Sequence, residues 1–217
     1  MTELKSARKG PADADAAVVF LHGYGADGAD LLGLADPLGQ HLPNTAFYAP
    51  DAPERSVNNP MGYQWFPIPW LDGSTEEQAK AGMARSIPLI DAFLDKVLAD
   101  EGITPDRLIV IGFSQGTMMA LHVLPRRSEE IAGIVGFSGR LLAPELLEAE
   151  LKVKPPVLLI HGDQDPMVPF EEMGLAGQAL QDAGFTVYGH VMKDTGHGIS
   201  PDGLGVALSF LKERLGK

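Results

Sequence analysis

Six short apolar runs, separated by stretches with helical spacing, constrain the fold of this chain more than any other feature. They occupy residues 16–21, 45–49, 107–111, 131–137, 156–160 and 185–191. Continuous runs of this length suit strands buried on both faces, as in a parallel sheet. Between them, residues 30–42, 76–99, 115–124, 171–183 and 203–215 carry apolar side chains at three-and-four spacing, which predicts helices. Pro37 is expected to break the first of these late, and Pro88 to kink or divide the second. Strand and helix signals in alternation predict an α/β fold, with a mostly parallel central sheet flanked by helices.

A chain of 217 residues fits one domain with a full core. Residues 1–15 read as a flexible tail and 16–217 as the domain. No repeat or linker divides it. The irregular stretch 52–74 is rich in Pro, Gly and Asn and holds both tryptophans, Trp65 and Trp70, so it reads as an ordered functional loop. There are 17 Lys and Arg against 29 Asp and Glu, a net charge of −12 without a basic cluster, so nucleic acid is not an expected partner. Cysteine is absent, which removes disulfides, thiolate metal sites and a cysteine nucleophile. The tail lacks the apolar centre of a signal peptide, and no segment approaches the roughly 20 apolar residues of a membrane span. The expectation is a soluble, cytoplasmic protein with no stable membrane insertion.

The third apolar run leads into Gly112-Phe113-Ser114-Gln115-Gly116, and a helical pattern follows. With 25 glycines and nine serines, chance gives roughly 0.1 matches to G-x-S-x-G, so context must carry the reading. A strand before, a helix after and glycine on both sides are what a nucleophile elbow requires, because so sharp a turn tolerates only small flanking residues. Gly136-Phe137-Ser138-Gly139-Arg140 begins alike but ends in Arg, and Ser138 fails the pattern. A serine nucleophile needs a base, and the base needs an orienting acid. Of the four histidines downstream, His122 falls on a helix, while His161 and His190 fall on strands; all three suit structural roles. His197 lies in a glycine-flanked loop after the last strand, where open α/β sheets build their sites, and is the candidate base. For the acid, Asp163 and Asp165 compete in the loop after the fifth run. Asp165 precedes the stiffening Pro166 and Pro169 and lies far enough from the strand to reach the next loop, whereas Asp163 suits a turn-former bonding its own backbone.

Four stretches together, Leu21-His22-Gly23-Tyr24-Gly25-Ala26-Asp27-Gly28, the Ser114 pentapeptide, His161-Gly162-Asp163-Gln164-Asp165-Pro166-Met167-Val168-Pro169 and Gly196-His197-Gly198, resemble the phospholipase/carboxylesterase family of α/β-hydrolases, which includes acyl-protein thioesterases. The resemblance runs from Val18 onwards. It implies an α/β-hydrolase fold, a triad of Ser114, Asp165 and His197, and an oxyanion hole formed by the backbone N–H groups of Tyr24 and Gln115. It departs at Thr117 and Tyr24, where many members have Gly and Leu, and a larger Tyr24 could reshape the acyl pocket. The implied activity is hydrolysis of short- to medium-chain carboxylic esters, with no metal or organic cofactor. Thioester or lysophospholipid hydrolysis is the alternative, and a non-catalytic binding domain on the same scaffold is a more distant one. A dienelactone-type hydrolase would want a cysteine nucleophile. Trp65, Phe66 and Trp70 from the long loop, with Met167 and Val168, are expected to line the substrate pocket; the alternative is that the aromatics pin the loop to the domain. Relatives often form dimers, so a homodimer is a possible assembly.

Overall fold

The computed structural model describes residues 3–217. In chain order the elements are β1 (Ser6–Lys9), β2 (Ala16–Leu21), α1 (Gly28–Leu32), α2 (Ala35–Gly39), β3 (Thr45–Pro50), β4 (Glu54–Arg55), β5 (Tyr63–Gln64), α3 (Pro69–Asp72) and α4 (Glu76–Glu101). There follow β6 (Leu108–Phe113), α5 (Gln115–Val123), β7 (Gly133–Phe137), α6 (Pro144–Glu150), β8 (Val157–Gly162), α7 (Glu171–Asp182), β9 (Val187–Met192) and α8 (Pro201–Leu215). Seven strands form one sheet in the order β1-β3-β2-β6-β7-β8-β9, parallel except for β1, which runs antiparallel to β3.

The continuous apolar runs are explained by burial on both faces. In β2, Val19 and Leu21 face one core with Trp65, Phe93 and Met118. Val18 and Phe20 face the other, with Leu38, Phe210 and Leu211. Successive side chains of a strand point to opposite faces, so a strand covered on both sides must be apolar at every position. Helices α4 to α7 cover the first face; α1, α2 and α8 cover the second.

Two expectations are corrected by the structure, and of the kink or division expected at Pro88 the division is ruled out. The segment 1–15 is not simply a tail, since Ser6–Lys9 pairs with β3 in register Ser6 to Pro50. Its polar sequence hid it, because an exposed edge strand needs backbone partners rather than apolar side chains. Met1 and Thr2 lie outside the described residues. The helical pattern at 30–42 divides at residues 33–34, ahead of Pro37, which sits in the first turn of α2 where a missing N–H costs nothing. Helix α4 continues through Pro88 as one element, opened by a capping box between Thr75 and Gln78 and closed by Gly102 at φ 64°. Packing of Ile90, Phe93, Leu94 and Val97 into the core holds it together past the lost hydrogen bond.

The chain visits β2, crosses to β3 on one side, then returns to β6 on the other. Loops leaving the carboxyl ends of β2 and β6 therefore part in opposite directions and leave a crevice between them.

Candidate active site

Ser114 follows β6 at that crevice with φ 52° and ψ −113°, a conformation that favours glycine and marks stored strain. Its N–H donates to the Phe137 carbonyl at 2.9 Å, and its carbonyl accepts from Met118 N–H at 3.1 Å, so the turn is tied to the neighbouring strand and to α5. A methyl group on Gly116 would overlap the Leu21 carbonyl, and one on Gly112 would overlap the Thr117 backbone. Both glycines are therefore required by close backbone approach. Thr117 fits because Gly136 and Gly139 leave room beside it, and its hydroxyl donates to the Phe137 carbonyl at 2.8 Å. Ser138 also has a positive φ, 47°, but it is fully buried.

The loops after β8 and β9 bring the other two residues together. Asp165 Oδ2 lies 2.7 Å from His197 Nδ1. Asp165 Oδ1 accepts from the N–H groups of Met167 at 2.8 Å and Val168 at 2.9 Å, and the side chain is fully enclosed. Burial alone would push this carboxyl up; the hydrogen bonds from His197, Val168 and Met167 outweigh it and leave the group below its usual range. A carboxylate only accepts, so His197 Nδ1 carries a proton, and in the neutral ring Nε2 is the nitrogen with the free lone pair. The imidazole packs beside the elbow, with its centroid 4.8 Å from that of Phe113. Among the described residues no hydrogen bond yet joins Ser114 Oγ to His197, which is common before a substrate tightens such a site.

Asp163 makes no bond to its own backbone; its nearest cation is Lys193 at 4.0 Å. Asp163 thus sits in the turn that follows β8, but its side chain does not close that turn, and Oδ1 is buried without a partner. The two loops are joined by Gln164 N–H to the Thr195 carbonyl at 3.0 Å, and a side chain at Gly162 would collide with that same strand of the His197 loop.

The loop after β2 completes the site. Gly23 lies against Phe113 and Ser114, where a methyl group would come within 3.1 Å of the Phe113 ring and 3.4 Å of Ser114 Cβ. Gly25, at φ 78°, donates to the Tyr63 carbonyl at 2.8 Å and accepts from Asn59 Nδ2 at 2.7 Å. Among the described residues, nothing accepts from the N–H of Tyr24 or of Gln115, and the latter opens α5. Two backbone donors beside a strained serine, one on a helix dipole, suit a developing oxyanion.

His22 and the Gln115 side chain are functional supports that the sequence did not single out. The Ala52 N–H donates to His22 Nε2 at 3.0 Å, so Nδ1 holds the proton and donates to the Gly23 carbonyl at 2.8 Å. Burial holds the His22 pKa below its ordinary value, which keeps the ring neutral. Gln115 accepts from Trp65 N–H at 2.9 Å and donates to the Phe66 carbonyl at 2.7 Å. The Trp65 indole N–H reaches the His22 carbonyl at 2.9 Å. Only a buried amide or imidazole bridging two loops in sequence-distant positions would have revealed this, and neither has a local signature.

Ser114 and His197 line a cavity of about 230 Å³ with Tyr24, Ile68, Trp70, Leu71, Met118, Met167 and Val168. Of the five residues expected to line a substrate pocket, Trp70, Met167 and Val168 line this cavity. Trp65 and Phe66 do not: both are buried in the core, because their backbone and indole groups are spent on holding the long loop to His22 and Gln115. Among the described residues no cluster of three His, Asp or Glu side chains is arranged to hold a metal, and no helix is long and apolar enough to cross a membrane.

The remaining histidines stand apart from Ser114. His161 Nε2 donates to the Val168 carbonyl at 3.0 Å and lies 3.4 Å from Asp165 Oδ2, bracing the acid loop from below. His190 pairs at the surface with Asp202 at 2.6 Å. His122, expected to be a satisfied structural residue, is buried on α5 with Nδ1 unpartnered. Burial, aided by the Arg126 charge, lowers its pKa from 6.5 to about 4. Between those values the unfolded chain binds a proton that the folded chain refuses, so stability falls as pH drops from about 6.5 towards 4. Urea midpoints at pH 7 and pH 4.5 should therefore lie closer together in His122→Leu than in the wild type. An equal gap in both proteins would assign the acid sensitivity elsewhere.

A family model described as Phospholipase/Carboxylesterase matches residues 5–215. Acyl-protein thioesterase 1 of Saccharomyces cerevisiae is 34% identical, covering 91% of this chain and 92% of its own. Among solved structures, esterase PE8 superposes with a TM-score of 0.92 at 42% identity, covering 99% of this chain and 100% of that one. Arabidopsis thaliana SOBER1 superposes with a TM-score of 0.79 at 25% identity over 92% of this chain and 99% of that one. The fold is accordingly that of the α/β-hydrolases.

Proposed function

Given that the chain belongs to the phospholipase/carboxylesterase family, we propose that it is a serine carboxylesterase that hydrolyses short- to medium-chain carboxylic esters through an acyl-enzyme. The observation that carries this reading is the pairing of His197 Nδ1 with the enclosed Asp165 carboxylate at the cavity that also holds strained Ser114. His197 Nε2 takes the Ser114 proton as Oγ attacks the ester carbonyl. Asp165 fixes the ring and stabilises the imidazolium that forms. The N–H groups of Tyr24 and Gln115 receive the negative charge on the carbonyl oxygen. His197 then protonates the departing alcohol, and water, activated by the same imidazole, releases the acid and restores Ser114.

Cavity size supports the chain-length range. About 230 Å³ falls below the roughly 300–1,000 Å³ of sites that enclose drug-sized ligands. The side chains of Ile68, Met118 and Val168 offer such a cavity an apolar wall for a short acyl group. A thioester reading draws support from the thioesterase relative, and a thioester with the same acyl group would converge on the same acyl-enzyme after loss of its thiol.

A series of p-nitrophenyl esters from acetate to palmitate, with acyl thioesters of matching length, tests the proposal. Turnover is expected to peak at short or medium chains on oxygen esters and to vanish in Ser114→Ala. A palmitoyl thioester as best substrate would replace the carboxylesterase reading with the thioesterase one. Turnover retained in Ser114→Ala would remove both.

A further inference from the structure

Tyr24 lines the Ser114 cavity, yet its phenol hydroxyl is engaged elsewhere. The phenol donates to Asp72 Oδ2 at 3.0 Å, across 48 residues of sequence. Asp72 ends α3, and its carboxylate also accepts from Ile68 N–H at 2.8 Å and Ser74 N–H at 2.9 Å, closing the turn on itself. Burial opposes its ionisation, but bonds from Ser74, Ile68 and Tyr24 outweigh this and hold the carboxyl below its usual range. The phenol therefore meets a charged acceptor, the stronger kind of hydrogen bond.

The element so tied needs external support. Helix α3 is a four-residue turn with none of its residues buried. Trp70 and Leu71, 67% and 39% exposed, nevertheless form part of the wall of the Ser114 cavity. Two other ties reach it: Asn58 Nδ2 donates to the Leu71 carbonyl at 3.0 Å, and the Arg140 guanidinium lies 4.7 Å from the Trp70 ring centroid. The Tyr24 bond joins it to the loop with the oxyanion N–H. A leucine at position 24 could fill similar space but could not make this bond.

We propose that the Tyr24–Asp72 hydrogen bond is a latch that fixes the α3 turn against the oxyanion loop and thereby limits the acyl length the cavity accepts. The proposal rests on the esterase reading above. In it the Tyr24 phenol is a positioning group, acting through Asp72 on Trp70 and Leu71, while the Tyr24 backbone N–H keeps its separate part in the chemistry.

The test combines amide hydrogen exchange over residues 68–74 with kcat/KM for p-nitrophenyl octanoate and acetate, in wild type, Tyr24→Phe, Asp72→Ala and the double variant. Loss of a hydrogen bond to a carboxylate should speed exchange in Tyr24→Phe by about tenfold. The octanoate-to-acetate ratio should rise by about fivefold, chiefly through a lower KM for octanoate. Asp72→Ala, which also leaves the Ile68 and Ser74 N–H groups without their acceptor, should shift the ratio in the same direction and at least as far. The double variant should add little to Asp72→Ala, because the acceptor of the phenol is already gone. Exchange within twofold of wild type, an unchanged ratio, or fully additive effects would each overturn the latch. If wild type shows no turnover that depends on Ser114, the esterase reading fails separately, while exchange at 68–74 still decides whether the latch exists.

Discussion

Asp165→Asn should lower kcat by roughly 10⁴-fold while leaving KM and the melting temperature close to wild type. The asymmetry of the Asp165 contacts explains why. Oδ1 accepts from Met167 and Val168 N–H, and an asparagine oxygen can take over both bonds, so the loop keeps its shape. Oδ2 faces His197 Nδ1 at 2.7 Å, and there an NH₂ group would stand in place of an acceptor. The imidazole should then present Nδ1 as acceptor and carry its proton on Nε2, the nitrogen proposed as the base. Ground-state binding should then survive and proton transfer should not. A variant retaining more than a tenth of the wild-type kcat would contradict this, and Asp163→Asn would then be the informative substitution.

Trp65→Ala should cost about 3–5 kcal/mol of stability, the range for truncating a large buried aromatic. For a chain of this size that corresponds to a fall of about 10 °C in melting temperature. Trp65 is fully buried, and its indole N–H satisfies the His22 carbonyl, so truncation leaves both a cavity and an orphaned acceptor. Trp70→Ala, on a side chain 67% exposed, should move the melting temperature by less than about 2 °C and instead alter chain-length preference. Calorimetry on the two variants separates the pin from the wall. Equal losses of stability would show that the two tryptophans share one role.

That contrast also marks the limit of what could be read from residues alone. The central strands were legible because burial on both faces leaves a strong signature: 16–21 and 107–111 are apolar at almost every position. Glycines at 112 and 116 announced the elbow, since a backbone approach as close as that of Gly116 to Leu21 excludes every other residue. Strand β1 was missed because an edge strand is held by main-chain bonds to β3, which any sequence can make. The hairpin of β4 and β5 and the α3 turn were missed because each is too short to carry a period; they exist through partners such as Gln115, Asn59 and Tyr24. Trp65 and Trp70 share one loop and one composition, and only the fold turns the first inward and the second towards the cavity. The supporting roles of His22 and Gln115 depend on distances between loops, a property of the folded chain.

Covalent labelling tests the central claim most directly. Ser114 and Ser138 both follow parallel strands, both have positive φ, and they are preceded by the same Gly-Phe pair, so a chemical probe must choose between near neighbours. A fluorophosphonate reacts with a serine whose proton is taken by an adjacent base and whose oxyanion is stabilised. Intact mass spectrometry with peptide mapping should find a single phosphonyl adduct per chain, on Ser114, with none on Ser114→Ala and slow labelling on Asp165→Asn. An unmodified wild-type protein, or an adduct on Ser138 or any other residue, would contradict Ser114 as the nucleophile.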